Sequence, residues 1–142
     1  MADIAVTPAS VAPGASSVQI QGIAGETITA GMVVYLNPTT SKWMKALAAG
    51  TAQQSGNGTQ YGIALTGSSN GQPIVVDTSD PNGISIGGTT AVGTIYCISA
   101  TAGGVAPWAD LVATNYVTPI GVGAASNKIV FLSNGATGIQ HA

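Results

Sequence analysis

Charge is what this chain lacks. Only eight of its 142 residues are Asp, Glu, Lys or Arg, 6% of the total, where ordinary domains carry about 25%. Arginine is absent, and the three lysines are Lys42, Lys45 and Lys128. The acids are Asp3, Glu26, Asp77, Asp80 and Asp110. Proteins that bind DNA or RNA neutralise phosphates with Lys and Arg, and anionic membrane surfaces attract basic clusters. Three scattered lysines supply neither field, so neither nucleic acid nor a membrane is expected as a partner. A net charge of −2 also leaves little self-repulsion between copies.

Other scarcities narrow the chemistry. A single cysteine, Cys97, excludes an internal disulfide. It lies within Ile95-Tyr96-Cys97-Ile98, which reads as a small buried apolar residue rather than a reactive thiol needing a basic neighbour. The one histidine, His141, is next to last. Mean hydropathy is +0.38, yet no apolar run approaches the roughly 18 residues of a membrane helix. The start, Met1-Ala2-Asp3-Ile4, lacks the basic region and apolar core of a signal peptide, and synthesis in a cytoplasm is expected. The sequon Asn57-Gly58-Thr59 then carries no meaning.

Two motifs imitate chemistry. Gly67-Ser68-Ser69-Asn70-Gly71 fits G-x-S-x-G, but a nucleophile elbow places Ser69 between a strand and a helix. Here Pro73-Ile74-Val75-Val76, a strand signal, follows, and no suitable His base is at hand. Asp77-Thr78-Ser79-Asp80-Pro81-Asn82-Gly83 gathers oxygen ligands at Asp77, Asp80 and Asn82. Calcium takes six to eight oxygens in a recognisable loop spacing, and Asp-Pro-Asn-Gly is also a common turn. A turn is the expected reading. No Cys/His set suits zinc, and no Walker or G-x-G-x-x-G motif occurs. The chain is expected to be no enzyme, with no cofactor and no metal.

What is present is a repeat. Ala30-Gly31-Met32-Val33-Val34-Tyr35-Leu36 is followed by a turn, Lys42-Trp43-Met44-Lys45-Ala46, a loop, Tyr61-Gly62-Ile63-Ala64-Leu65, and Pro73-Ile74-Val75-Val76-Asp77. The same order returns in Val92-Gly93-Thr94-Ile95-Tyr96-Cys97-Ile98, Ala106-Pro107-Trp108-Ala109-Asp110, Pro119-Ile120-Gly121-Val122-Gly123 and Lys128-Ile129-Val130-Phe131-Leu132. Two units, at about 30–77 and 92–132, are each a run of short strands.

Strands are expected at Val18–Gln21, Gly31–Leu36, Lys42–Leu47, Tyr61–Thr66, Pro73–Asp77, Gly83–Ile86, Gly93–Ser99, Pro119–Gly123 and Lys128–Leu132. Asn-Gly pairs at 57, 70, 82 and 134 mark tight turns between them. Short helical turns are entertained over 46–54 and 109–114, and the stretch from Ser133 onward reads as a surface tail. The expected fold is all-β: one domain over 18–142, a compact barrel or sandwich. Residues 1–17 read as an extended arm. Ile4, Val6 and Val11 alternate with small or polar residues, and Pro8 and Pro13 resist a ladder. Such an arm is frayed or lies along a partner.

Trp43 and Trp108 hold matching places in the two units, as do Tyr35 and Tyr96. Core packing, with the indoles plugging the ends of the sheet, competes with subunit anchoring for these four. A neutral surface rich in apolar residues suits a protein that meets neighbours.

The run Ile28-Thr29-Ala30-Gly31-Met32-Val33-Val34-Tyr35-Leu36, then Lys42-Trp43-Met44-Lys45-Ala46 and Tyr61-Gly62-Ile63-Ala64, resembles the decoration, or cement, proteins of tailed-bacteriophage capsids. Gly93-Thr94-Ile95-Tyr96 and Ile120-Gly121-Val122 echo it, and the likeness covers roughly residues 20–132. It implies a β-tulip-like domain on the outside of a virion, a homotrimer seated where major capsid protein subunits meet. It also implies that the arm, through Ile4, Val6, Pro8, Val11 and Pro13, touches the shell. A different class remains open: a β-barrel module of a phage tail fibre that binds carbohydrate or a receptor, using Trp43, Trp108 and Tyr61 as stacking faces.

Overall fold

The computed structural model describes residues 3–132 and 136–141. In chain order the strands are Val11–Ala12 (β1), Val18–Ile23 (β2), Val33–Asn37 (β3), Lys42–Lys45 (β4), Tyr61–Ala64 (β5), Pro73–Ile86 (β6), Ile95–Ile98 (β7), Val105–Pro107 (β8), Pro119–Ala125 (β9) and Lys128–Leu132 (β10). The protein is nearly all β, and its antiparallel sheet curls into a half-barrel. The sheet order is β4-β3-β5-β6-β10-β9-β7-β8, with β1 and β2 added along β6.

That order is the same read from either end. In the first half β3 pairs with β4 and β5, and β5 pairs with β6. In the second, β7 pairs with β8 and β9, and β9 pairs with β10. The halves join where β6 meets β10. Alternation then sends one side chain in two to a shared core. Tyr35, Tyr61 and Ile63 from the first half meet Tyr96, Ile98, Ile120, Ile129 and Phe131 from the second. The other face of the first half builds a smaller cluster under β2, of Val34, Trp43, Ala64, Ile74 and Val76 with Ala24 and Ile28.

The strand expected to stop at Asp77 does not stop. Pro73–Asp77 and Gly83–Ile86 are the two ends of one 14-residue strand, β6, so the turn expected over 77–83 is corrected to bulged strand. Two irregularities make this possible. Val18 faces Ser79 and Gln19 faces Asp77, so Thr78 is an extra residue. Further on, Ile129 faces Ile84 and Phe131 faces Asp80, which leaves Val130 opposite Pro81, Asn82 and Gly83. A bulge accepts a proline with no N–H to give, and Gly83 adopts φ +94°, which glycine does at little cost. The first bulge resets the alternation, so Asp77 and Asp80 both point inward.

Three further expectations change. Residues 46–54 form turns without helix, and over 109–114 only a 3-10 turn at Trp108–Asp110 appears. The described part of the C-terminal stretch is tied to the segment that precedes β9: Val117 N–H donates to Ile139 O at 2.9 Å and His141 N–H to Asn115 O at 2.7 Å. The Asn134-Gly135 turn lies outside the described residues.

The arm is the largest correction. Residues 3–17 lie along their own domain. Ile4 N–H donates to Val105 O (2.9 Å), Thr7 N–H donates to Gly87 O (2.7 Å), and β1 pairs Val11 with Ile86. The alternation of Ile4, Val6 and Val11 finds its apolar partner within the chain, and Ile4 and Val6 pack against the central core. Both outer edges of the sheet are blunted, one by the arm and the other by residues 25 and 26. Ile4 covers β8, while Gly25 N–H donates to Trp43 O (2.8 Å) and Lys45 N–H to a Glu26 carboxylate oxygen (2.9 Å) along β4.

Candidate functional site

The four aromatic residues divide unequally. Tyr35, Tyr96 and Trp43 are buried, while Trp108 is 45% exposed. Tyr96 and Tyr35 hold the same place on β7 and β3 and face the shared core. The Tyr96 hydroxyl also accepts the Ala91 N–H at 2.9 Å. Tyr96→Phe strands that donor and is expected to lower stability by about 1–2 kcal/mol in urea denaturation; an unchanged midpoint would show that water takes over the bond.

The tryptophans differ because their registers differ. Trp43 lies opposite Leu36 within the β3–β4 ladder and over Gly22, where a methyl group would overlap the indole. Trp108 falls just past β8, in the 3-10 turn. Its ring stands 5.1 Å from that of His141. Of the two competing roles, core packing describes Trp43, whereas Trp108 lies outside the core.

A shallow groove of about 330 Å³ runs beside Trp108, lined by Val117, Thr137, Ile139, Gln140 and His141. As a sugar site it has one stacking face and few polar groups to aim at hydroxyls. Thr137 Oγ1 donates to Val117 O at 2.7 Å and Gln140 Nε2 donates to Thr114 O at 3.0 Å. Trp43 and Tyr61, the other stacking candidates, are buried.

The arm residues divide too. Pro8 and Pro13 are exposed, whereas Ile4, Val6 and Val11 are half-buried against the domain. Only the prolines and their small neighbours face outward, so the apolar contacts assigned to the shell are made internally.

Two features escaped the sequence reading. The first is a bare sheet face. Ile95 and Val122 are cross-strand partners on β7 and β9, exposed by 48% and 42%, and Val92 is exposed by 73%. Gly93 N–H donates to Gly123 O at 2.8 Å, holding the Val92 turn beside β9. In the first half the corresponding outward face is roofed by β2; in the second no described segment covers it. Comparison of the two repeats could have hinted at this, because residues 18–28 have no counterpart before the second unit.

The second is a buried acid pair. Asp77 and Asp80 are fully buried. One Asp77 oxygen accepts from Ser79 N–H (3.3 Å) and one Asp80 oxygen accepts from Gly14 N–H (2.7 Å). The remaining oxygens, Asp77 Oδ2 and Asp80 Oδ1, have no donor. Burial, and then the adjoining Asp80 carboxyl, push Asp77 up to about 8. Asn82 does not join them: it is exposed, and its amide donates to Ser16 Oγ at 2.8 Å. Among the described residues no three His, Cys, Asp or Glu side chains gather to hold a metal ion. A sequence signal was available, since Asp77 directly follows Ile74-Val75-Val76 in a chain almost without charge.

The motif around Ser69 sits on an exposed loop that leads into β6 rather than a helix. Cys97 is buried and free, and burial pushes its thiol up to about 11, away from thiolate chemistry at neutral pH. Among the described residues no helix is long and apolar enough to cross a membrane. Comparison with family models, with curated proteins and with solved structures finds no match.

Proposed function

We propose that this chain is a structural protein of a bacteriophage virion, one that binds the outside of the capsid where major capsid protein subunits meet and does so as a homotrimer. The observation that carries the reading is the bare face of Val92, Ile95 and Val122 on a domain with 6% charged residues. Exposed apolar sheet surface marks contact with other protein, and a seam without ions avoids the cost of desolvating them. Three copies on one shell would turn weak single contacts into avidity of about 10²–10⁴. The resemblance read in residues 20–132 favours the major capsid protein as the partner.

The arm's role changes within this reading. Removing residues 1–17 would strip Ile4 from the β8 edge and Ile4 and Val6 from the core, so truncation tests stability as much as binding. The cleaner variant is Ile95→Lys with Val122→Lys, which adds charge to the bare face without touching the core. The wild-type chain is expected to sediment as a trimer and to co-sediment with shells assembled without it. The double variant is expected to keep its β circular dichroism and lose one or both associations. A monomeric wild-type chain that ignores shells ends the proposal.

A further inference from the structure

We propose that Asp77 and Asp80 form a proton-dependent latch: while the two carboxyls share one proton they hold residues 13–17 of the arm onto the sheet, and loss of that proton frees this segment. The inference does not rest on the capsid reading.

The geometry has three parts. Both carboxyls are fully buried, and each has an oxygen without a donor. Two buried anions side by side repel and forgo hydration, so one proton between them is the stable form. The arm closes the site. Gly14 N–H donates to Asp80 at 2.7 Å, and Gly14 sits so near that an added methyl would overlap Asp80 Oδ1 and Gly83 O.

Among the described residues no cation pairs with either acid. β2 carries no titratable side chain and β5 carries only Tyr61; on β10, Lys128 lies opposite Ser85 with its stem against Gly83, and it makes no ion pair with either acid. The arm brings Asp3, which accepts from Ser99 Oγ at 2.6 Å. The raised value of Asp77 agrees with this setting.

When the shared proton leaves, water must reach the carboxylates. The walls of the site are unequal. β6 is laddered to β2 and β5, and then to β10. The arm here has exposed residues at Pro13, Ala15 and Ser16. It is held to β6 by the Gly14 bond and by the exposed contact from Asn82 to Ser16, while a 3.4 Å bond from Ser17 N–H to Gly14 O lies within the segment itself. Lifting this segment hydrates both acids without breaking a ladder. β1, which precedes it, remains paired to Ser85 and Ile86, so the displacement is a local loop opening.

The test uses the full chain with Ala15→Cys carrying a nitroxide; Cys97, buried with a raised thiol pKa, stays unlabelled. Electron paramagnetic resonance reads the mobile fraction of the label from pH 5.5 to 9.5. The opening constant is expected to rise by about tenfold per pH unit until Asp77 ionises in the closed form, then to level off. Asp77→Asn keeps the shape, removes the second charge and is expected to hold the label immobile throughout; Asp80→Asn serves if that variant does not fold. Carbon-13 titration of the wild-type carboxyls is expected to find one of the pair protonated at pH 6.

Any of three outcomes overturns the latch: a label equally immobile at both ends of the range in folded protein, release that persists in Asp77→Asn, or both carboxyls ionised at pH 6. Re-immobilisation at pH 9.5 by calcium chloride at millimolar level overturns it as well, because the pair is then a cation site.

Discussion

Trp43→Ala is expected to lower unfolding free energy by about 3–5 kcal/mol, the range for deleting a buried large aromatic side chain, while Trp108→Ala lowers it by about 1 kcal/mol or less. Trp43 is 1% exposed, lies over Gly22 and fills the small cluster between β2 and the first half of the sheet. Without it β2 loses its anchor, and Gly22 has no side chain with which to fill the space. Trp108 packs beside His141 and remains half in water. Urea denaturation, followed by circular dichroism so that the loss of one fluorophore does not bias the signal, measures both. Equal losses would mean that Trp108 belongs to the core after all. An inverse outcome, with Trp43→Ala nearly neutral, would mean that β2 is not bound through the indole. For a domain whose whole stability is of order 5–15 kcal/mol, the expected loss is enough to thin the folded population at physiological temperature.

The contrast between the two indoles measures how far the sequence could be read. Most strand positions were legible because alternation and Asn-Gly turns are local signals, and the all-β class follows from them; the short strands β1 and β8 are too short to carry such a signal and were not expected. The equal strand order of the two halves follows from the repeat. What local pattern cannot supply is which outward face is roofed. Nothing within Gly93-Thr94-Ile95-Tyr96 distinguishes it from its counterpart around Val34; the difference lies in β2, whose partners on β6 are fifty or more residues away in sequence. The arm misled for a related reason. Ile4, Val6 and Val11 carry the alternation of an edge-covering segment, and sequence says that such a segment needs an edge without saying whose. Asp-Pro-Asn-Gly misled as well. Its turn propensity is real, but the ladders to β2 and β10 hold the chain extended and absorb the surplus residues as bulges at Thr78 and at 81–83.

That same bulged stretch sets the pH behaviour of the whole fold. Stability is expected to fall as pH rises from about 4 to about 8, the reverse of ordinary acid denaturation. The sign follows from proton counts. Asp77 in the unfolded chain titrates near its ordinary value, 3.8, and in the folded protein near 8. Below pH 4 both states hold the proton and the folded form keeps all its stability. Between the two values the unfolded chain has released the proton while the folded protein retains it, so each pH unit favours unfolding by up to tenfold, about 1.4 kcal/mol. Above 8 both states have released it and the curve flattens. In most domains such a slope is buried under many other titrations; here there are five acids and three lysines in all, and few groups can mask it. Urea midpoints taken at unit steps from pH 4 to 9 are expected to decline with the slope of the transition unchanged, and Asp77→Asn is expected to flatten the decline. A wild-type midpoint that climbs over this range would mean that Asp77 is ionised in the folded protein, and that something other than a shared proton satisfies the pair.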